Sequence, residues 1–324
     1  MRGLILFLLF TPWLGGQEAD PSQRFRHQRH LHVHDPSTIL VQNGVARFVS
    51  TGHGVSVMRE QEDGAWEREG RIFAEENLPA WHKELVPANR GHLWAPDWIQ
   101  LSDRYLLYYS VSSFGKQTSA IGLAIGKTLD PQSPDWHWED AGVVISSNED
   151  SPYNAIDPAI FRDDDGSLWM SFGSFWNGLY LIALDAKTGH RLAPEVPAER
   201  LATAREIEAP FLHKRGEFYY LFLNWGLCCR GLESTYTIRV GRARSVKGPF
   251  VDREGIDLRE GGGTLVLGNA AHRIGPGHAS VVEREGQEFL LHHFYDARAR
   301  GQSRAHLAPL IWEDDWPLIK ESPE

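Results

Sequence analysis

A unit of two strands separated by a polar turn recurs five times along the chain. Each unit begins with a polar residue, continues with a short apolar strand and a turn, and ends with a longer strand rich in aromatic and β-branched residues. The residues that head the units are 62, 60, 51 and 70 positions apart, and they are Asp35, Asp97, Asp157, Glu208 and His278. Supersecondary units repeated at such a period are typical of propeller blades.

The rest of the chain supports an all-β fold. Helical periodicity is almost absent after residue 30, and further strand-like segments such as 122–129 and 179–184 complete four-stranded sheets. A β-sandwich also contains short strands, but it would not place a polar residue at the head of the same strand in every repeat. We therefore predict an all-β, five-bladed β-propeller.

The heads of the five units predict where the functional site lies. In a propeller the innermost strand of each blade runs along the central channel, so residues at the start of these strands meet at one mouth of it. Asp35 and Asp157 directly precede proline, and Glu208 precedes Ala209-Pro210. Proline favours an extended preceding residue and would hold a carboxylate stiffly. We expect an active site at that mouth.

The N-terminus has the pattern of a secretory signal. Arg2 precedes an apolar run from Gly3 to Leu14, and two small residues follow it. We predict a signal peptide over 1–16, a leader over 17–29 and a single propeller catalytic domain over 30–324; an uncleaved anchor is the alternative. The protein is then secreted or periplasmic, with no membrane contact after the signal is removed.

Composition excludes several partners. The formal net charge of −10 gives no basic footprint for nucleic acid. The two cysteines, Cys228 and Cys229, are adjacent, which gives no disulfide framework and leaves a vicinal disulfide open. No segment indicates self-association, and we expect a monomer.

Three matched carboxylates indicate glycosidic bond cleavage. One protonated carboxyl donates to the leaving oxygen, and a second carboxylate activates water or attacks directly. A third carboxylate nearby raises the pKa of the acid by repulsion of like charges. The acidic run DDDG at 163–166 favours a hairpin turn, because it lacks the rest of a calcium-loop pattern.

Nine motifs in order resemble glycoside hydrolase family 43, close to its endo-1,5-α-L-arabinanase branch. They cover nearly all of the chain after residue 30: VHDPSTI at 33–39, LWAPD at 93–97, YYSVSSFG at 108–115, NAIDP at 154–158, SFGSFWNGLY at 171–180, IEAPF at 207–211, CCRG at 228–231, GPGH at 275–278 and PLIWEDDWP at 309–317.

This resemblance implies a five-bladed propeller and an inverting mechanism. By motif, Asp35 resembles the general base, Glu208 the general acid, and Asp157 the residue that tunes the acid's pKa and orients the substrate. His278 resembles a histidine beside a central calcium, partly reached through water, with a hydrogen-bonded channel histidine as the alternative. Seven residues within the motifs are the predicted substrate-binding set: His34, Trp94, Asp97, Phe114, Asn154, Ser174 and Trp176. Asp97 could equally have a structural role, and Trp176 could equally be part of the propeller core.

The predicted function is therefore endo-acting hydrolysis of α-1,5-linked arabinan, such as pectin side chains, with calcium as a structural or tuning ion and no organic cofactor. An exo-acting α-L-arabinofuranosidase or β-xylosidase would use the same acids but close one end of the cleft. A non-catalytic sugar-binding propeller would lack at least one of the acids. A protein-binding scaffold would not require three matched carboxylates at one mouth.

Overall fold

The computed structural model describes residues 31–320, and within this range the chain folds into five antiparallel sheets. Strands follow one another in sequence order across each sheet, because tight turns join antiparallel neighbours. One two-residue strand is the exception. It lies between strands of the first sheet in the sequence, but it pairs with the second sheet, where His53 is opposite His92. The predicted signal peptide and leader lie outside the described residues.

The five sheets are the blades of a propeller, which confirms the predicted fold. Their strands, from the channel outward, are as follows. Blade 1 contains β1 (Leu40–Gln42), β2 (Val45–Ser50), β4 (Ser56–Glu60) and β5 (Trp66–Arg71); blade 2 contains β3 (Gly52–His53), β6 (His92–Gln100), β7 (Tyr105–Val111), β8 (Ser119–Gly126) and β9 (Trp138–Ser147); blade 3 contains β10 (Ala159–Arg162), β11 (Leu168–Phe172), β12 (Leu179–Leu184) and β13 (Glu199–Ala202); blade 4 contains β14 (Ile207–Arg215), β15 (Phe218–Trp225), β16 (Thr237–Ala243) and β17 (Thr264–Leu267); blade 5 contains β18 (Arg273–Arg284), β19 (Gln287–Asp296), β20 (Gln302–Glu313) and β21 (Trp316–Ile319).

Helical structure is confined to short turns between strands. Within residues 31–320 the α-helix is α1 (Trp81–Leu85), and there are 3₁₀ turns at Glu75–Asn77, Gly231–Glu233, Leu258–Glu260 and Ala297–Ala299. None of these helical segments has the length and apolar character needed to cross a membrane.

The hydrophobic core lies between neighbouring blades. Phe48 and Met58 of blade 1 pack in one cluster with Leu291 and Leu307 of blade 5, which closes the ring. An ion pair between Arg284 and Glu60, 2.9 Å from Nη1 to Oε1, joins the same two blades. Apart from β3, which pairs with blade 2, each blade is a separate run of chain, so face-to-face packing holds most of the ring together.

Each innermost strand bends at the channel mouth. A residue with left-handed backbone occurs at the bend of every blade: Asp35 (φ 52°), Ala95 (φ 43°), Asp157 (φ 59°), Ala209 (φ 52°) and His278 (φ 57°). Proline follows the first four of these residues. Such a conformation costs roughly 1–2 kcal/mol for a residue with a side chain, so the surrounding contacts must stabilise it.

The bend also corrects the predicted equivalence of the five units. Ala95 and Ala209 occupy the positions that correspond to Asp35 and Asp157, so Asp97 lies two residues past the bend and Glu208 one residue before it. The register of β6 breaks between Trp94 and Asp97, and that of β14 breaks between Glu208 and Phe211. A bulge changes which face a side chain occupies, and the sequence spacing did not resolve it.

The acidic run at 163–166 is the turn between β10 and β11, as predicted. Asp163 accepts hydrogen bonds from the Lys214 ammonium at 2.8 Å and the Tyr219 hydroxyl at 2.7 Å. Since β10 begins at the channel mouth and runs away from it, this turn lies at the far end of the blade from the three carboxylates.

Candidate active site

An open cleft of about 1150 Å³ lies over the channel mouth. Residues of all five blades and of the loops that join them line it, because the innermost strands converge there. Asp35, Asp157 and Glu208 all contribute to its lining. The structure therefore brings together the three acids that the sequence pattern selected, although more than 170 residues separate the first from the last.

Asp35 is embedded among histidines. Its Oδ1 lies 2.7 Å from His34 Nδ1, 3.5 Å from His293 Nδ1 and 3.6 Å from His278 Nδ1. Its Oδ2 accepts a hydrogen bond from the Thr51 hydroxyl at 2.5 Å. Burial alone would raise its pKa, but the charges of His34 and His278 and the hydrogen bond from His34 outweigh burial and hold the pKa of Asp35 well below its usual range. Asp35 is thus a carboxylate across the working pH range.

His34 forms the other half of this ion pair. Burial lowers the pKa of an imidazole, but the negative charge of Asp35 raises the pKa of His34 well above its ordinary value. Its Nε2 lies 2.8 Å from the Tyr295 hydroxyl, which fixes the ring on its far side. His34 lines the cleft, as predicted for a substrate-binding residue, and it also orients Asp35.

Asp157 is held between its neighbours by the backbone. Its own N–H donates to Ser110 Oγ at 2.9 Å, and its Oδ2 accepts from the Ala209 N–H at 3.2 Å. Burial raises its pKa well above the ordinary value, and the charges of Glu208 and Asp35 raise it further. The Ala209 contact links Asp157 to the strand that carries Glu208.

Glu208 is the second residue of strand β14, and it lies opposite Ser174 in a loop of blade 3. Ser174 pairs with Glu208 in an isolated β-bridge, and its hydroxyl donates to Glu208 Oε2 at 2.5 Å. Burial raises the pKa of Glu208 to about 7, although the Ser174 hydrogen bond opposes the shift. Below this pH the side chain keeps its proton, which is the state a general acid requires.

Asp35 and Glu208 lie in the same cleft and are suited to opposite proton transfers. Asp35 is ionised and can accept a proton from water, while Glu208 is protonated and can donate one to a leaving oxygen. Two carboxyl groups whose environments push their pKa values apart are the arrangement used for acid–base cleavage of acetals.

Aromatic side chains project from the rim of this cleft. Phe114 is 80% exposed and Trp176 is 42% exposed, although both are large and apolar. Trp94 is half-buried, and its indole N–H donates to His92 Nδ1 at 2.9 Å. All three line the cleft, so Trp176 is a surface residue of the site and does not belong to the propeller core. Flat apolar faces of this kind suit the apolar faces of sugar rings.

Asn154 and Ser174 lie deeper in the same cleft. Asn154 is 3% exposed, and its Oδ1 accepts from Ser119 Oγ at 2.7 Å. Because Ser119 holds the Asn154 carbonyl oxygen, this contact fixes the orientation of the amide group and therefore the position of its nitrogen donor. Ser174 already donates to Glu208, so its first role in the structure is to position that acid.

Asp97 does not line the cleft and so differs from the other predicted substrate-binding residues. It is 3% exposed, and its two oxygens accept the backbone N–H groups of Thr38 at 3.0 Å and Ile160 at 2.8 Å. These partners belong to the innermost segments of blades 1 and 3. The structure therefore supports the structural alternative, in which Asp97 ties three blades together below the site.

His278 lies between the cleft and a small cavity in the channel, of about 10 Å³. Burial lowers the pKa of the His278 imidazole, and the charge of Asp35 opposes this shift. Its Nε2 has no hydrogen-bond partner within residues 31–320, and the one carboxylate of the channel cavity, Asp97, is occupied by backbone donors. Calcium prefers several oxygen ligands. This donor set fits a hydrated cation held through one imidazole and does not fit an ion caged by protein carboxylates.

Several residues at the site escaped the sequence pattern. Thr51 donates to Asp35 and accepts the Ala95 N–H at 2.8 Å, and Ser110 fixes Asp157. His293 and Tyr295 come from the second strand of blade 5, where alternation in HHFYD offered the only signal. His34, Asp35 and His293 also form a compact group with metal-ligand atoms. The His34–Asp35 ion pair, the hydrogen bond from the Asp35 backbone N–H to His293 Nδ1 and the stacking of the two imidazole rings account for this grouping.

The cysteine pair lies beside both acids. Cys228 and Cys229 are free thiols whose sulfurs are 2.6 Å apart, and Cys229 Sγ is 3.9 Å from His34 Nε2. The hydrogen bond from Cys228 is the main cause that lowers the pKa of Cys229 to about 5. Tyr295 accepts the Cys229 N–H at 2.7 Å and so connects this loop to His34.

The buried carboxyl groups of Asp35 and Glu208 have opposite protonation states. They lie in an aromatic-lined cleft of a five-bladed propeller, and this combination is typical of a glycoside hydrolase. The chain belongs to the glycosyl hydrolases family 43, whose family model matches residues 30–317.

Relatives in this family act on arabinan. The chain is 40% identical to the extracellular exo-α-(1→5)-L-arabinofuranosidase ArbA of Cellvibrio japonicus, over 90% of this chain and 88% of that protein. It is 35% identical to the extracellular endo-α-(1→5)-L-arabinanase 1 of Bacillus subtilis, over 88% of this chain and 87% of that protein. The solved structure of a Cellvibrio cellulosa α-L-arabinanase complexed with arabinohexaose is similar with a TM-score of 0.84 and 40% identity, over 90% of this chain and 96% of that chain.

Proposed function

We propose that this protein is a secreted inverting hydrolase that cleaves internal α-1,5-L-arabinofuranosidic bonds of arabinan. The observation that carries the proposal is the opposite protonation of two buried carboxyl groups in one cleft, with Asp35 ionised and Glu208 protonated below about pH 7. The named relatives support arabinan as the polymer.

The reaction proceeds by direct displacement with water. Asp35 takes a proton from a water molecule, the water oxygen bonds to the anomeric carbon, and the bond from that carbon to the leaving oxygen breaks. Glu208 gives its proton to the leaving oxygen, so the products are a hemiacetal and a free hydroxyl. Burial and the neighbouring charges raise the pKa of Asp157, and its proposed role is to tune the pKa of Glu208 and to orient the sugar between the two groups.

Substrate contacts come from the cleft rim. Phe114, Trp94 and Trp176 are the proposed stacking surfaces, and Asn154 and His34 are the proposed hydroxyl-binding groups. The cleft volume of about 1150 Å³ and its lining from all five blades support occupation by several sugar units. An endo enzyme requires such a groove to remain passable at both ends.

A second candidate is exo-acting release of sugars from the chain end. The relationship to ArbA, which is named an exo-α-(1→5)-L-arabinofuranosidase and is 40% identical, specifically favours it. Both candidates use the same carboxylates and differ in how the cleft ends.

The test follows product sizes over time. Protein without residues 1–16 is incubated with debranched linear arabinan and, separately, with an aryl α-L-arabinofuranoside. Mixed oligomers early in the reaction, with little action on the aryl sugar, are the expected result. Release of one product size from the first time point would favour the exo candidate. Absence of products from both substrates would contradict the proposal.

We further propose that His278 holds a hydrated calcium ion. The ion would supply positive charge near the carboxylates and so favour their ionised forms. Chelator treatment is expected to lower the melting temperature of wild-type protein and to leave that of a His278→Ala variant unchanged. Equal responses of the two proteins would contradict this site.

For localisation, the named extracellular relatives support secretion through residues 1–16. We propose a monomer in solution, to be checked by light scattering.

A further inference from the structure

The cleft is lined by a group of carboxylates and by a separate group of cationic side chains. Its three carboxylates, Asp35, Asp157 and Glu208, are those of the catalytic proposal. Its permanently charged cations within the described range are Arg68, Arg71, Lys116 and Arg230, in a chain whose formal net charge is −10. Arabinan is an uncharged polymer and does not require this arrangement.

Two of these cations belong to a cluster at one end of the cleft, which we call the cationic end: His32, His53, Arg68, Arg71 and His92. Arg68 and Arg71 lie on β5, the outer edge strand of blade 1, opposite Met58 and Ser56. His53 on β3 pairs with His92 at the start of β6, which connects the cluster to blade 2.

Mutual electrostatic effects show that the cluster is contiguous. Burial lowers the pKa of His32, and the nearby charges of His34, Arg68 and His92 lower it further. Burial likewise lowers the pKa of His92; the charge of Asp35 opposes that shift, and the charge of His53 adds to it. All five residues of the cationic end line the same cleft, and the strand pairing of His53 with His92 brings two of them together there.

The cluster has little internal compensation. Within residues 31–320, Arg68 and Arg71 make no ion pair with a carboxylate, and both are exposed. One acid contacts the cluster: Glu75, 80% exposed, whose Oε2 lies 3.7 Å from His53 Nε2. By contrast Glu69, on the same strand as the two arginines, is occupied by Arg47 at 2.7 Å.

The cationic end is joined directly to the proposed sugar platform. His92 accepts the Trp94 indole N–H at 2.9 Å, so one residue belongs to the cluster and orients an aromatic face of the cleft. A ligand that stacks on Trp94 therefore lies beside one member of the cationic end, in the cleft that Arg68 and Arg71 also line. The planar guanidinium groups match a carboxylate, which accepts two parallel hydrogen bonds.

We propose that the cationic end binds a carboxylate-bearing sugar, a uronate, attached to the arabinan chain that occupies the cleft. The inference rests on the proposed function, because the neutral part of the ligand is taken to be arabinan. It adds a preference for arabinan that is still linked to an acidic polysaccharide over free neutral arabinan.

The test compares one polymer in two chemical forms. Uronate-bearing arabinan is used as isolated and after its carboxylates have been reduced to primary alcohols, and kcat/KM is measured for both. At low ionic strength we expect the ratio of the acidic to the reduced form to be about threefold to tenfold, as two exposed ion pairs can supply. The ratio should approach one near 0.5 M salt, because screening shortens the reach of exposed charges.

The variants assign the preference to the cationic end. Arg68→Gln combined with Arg71→Gln should bring the ratio to about one, and Arg68→Glu combined with Arg71→Glu should invert it. The control combines Arg244→Gln with Arg253→Gln, which removes the same charge from residues that pair with Glu217 and Asp314 outside the cleft. The control should keep the wild-type ratio.

Each outcome distinguishes the two proposals. A wild-type ratio of one, with good hydrolysis of the reduced polymer, would overturn the cationic-end proposal and leave the proposed function intact. An equal fall of the ratio in the control would assign the preference to net charge and also overturn it. No hydrolysis of linear arabinan by wild-type protein would contradict the proposed function itself. Inhibition by inorganic phosphate as strong as by free galacturonate would refute a uronate-specific site.

Discussion

The two sides of the catalytic cleft have similar burial and opposite electrostatics. The Asp35 side chain is 13% exposed and Glu208 is 6% exposed, so both lose most of their hydration. Histidines surround Asp35 and lower its pKa, while Glu208 faces a hydroxyl and its pKa rises to about 7. The neighbouring charge, more than the depth of burial, separates the pKa of the proposed base from that of the proposed acid.

The strongest test of this comparison removes each carboxylate without changing its shape. Asp35→Asn and Glu208→Gln should each lower kcat/KM on linear arabinan by about 10²- to 10⁴-fold, the range for loss of a general base or acid. Glu208→Gln should keep the wild-type melting temperature to within a few degrees, since an amide replaces a carboxyl of equal size. Asp35→Asn should lower the melting temperature without unfolding the protein, because the buried charge of His34 loses its partner.

Leaving-group dependence then distinguishes the two sides. An aryl arabinoside with an acidic phenol needs little protonation at the leaving oxygen, so Glu208→Gln should recover a large part of wild-type activity on it. Asp35→Asn should show no such recovery, because activation of water is still missing. Equal recovery in both variants would contradict the assignment of base and acid.

A second test concerns the electrostatic interaction between Asp157 and Glu208. The charge of Glu208 raises the pKa of Asp157. Because repulsion between two like charges is reciprocal, an ionised Asp157 raises the pKa of Glu208 in turn, and the two groups titrate as a pair. Asp157→Asn should lower kcat by about tenfold or more and move the alkaline limb of the pH–rate profile below its wild-type position near pH 7. The sign follows because an amide carries no charge to hold the proton on Glu208. A limb that moves to higher pH would contradict the coupling.

A third test separates stability from catalysis at Asp97. Asp97→Ala leaves the N–H groups of Thr38 and Ile160 without their acceptor, and each buried orphan donor costs about 1–3 kcal/mol. We expect a loss of about 2–5 kcal/mol in unfolding free energy, measured by urea denaturation, with kcat within a fewfold of wild type. Asp97→Asn keeps one acceptor oxygen and should lose less.

The pH dependence of that stability has a defined sign. Burial raises the pKa of Asp97 from 3.8 to about 6. The native state therefore holds the proton more tightly than the unfolded state, and this stabilising contribution is complete below about pH 3.8 and lost as the pH rises through 6. Asp97→Asn should flatten the stability profile in this window. An unchanged profile would show that Asp97 does not titrate there.

Sequence alone predicted the features that follow from periodicity and local chemistry. The five units, the strand–turn–strand pattern and the convergence of Asp35, Asp157 and Glu208 all follow from spacing and from proline-bounded carboxylates. The acidic turn at Asp163 also followed from local preference.

The remaining features depend on bulges and on contacts between distant strands. Asp97 heads its unit in the sequence as Asp35 and Asp157 head theirs, yet it follows a proline instead of preceding one, and a register break directs it away from the cleft. The pKa of Asp35 is lowered by the charges of His34, His278 and His293, and His293 lies 258 residues from Asp35 in the sequence. No local pattern encodes which histidine will lie beside which carboxylate.

The smallest expected effect concerns the rim, where the comparison is between an aromatic side chain on the cleft and an apolar one elsewhere. Phe114 is 80% exposed and lines the cleft, whereas Leu265 is 54% exposed on β17 and does not. An exposed stacking contact contributes about 0.5–1 kcal/mol. Phe114→Ala should therefore raise KM for arabinan by about twofold to fivefold with kcat nearly unchanged, while Leu265→Ala should alter neither. The effect should disappear on a short aryl arabinoside that does not reach Phe114. A fall in kcat with KM unchanged would instead place Phe114 next to the bond that is cleaved.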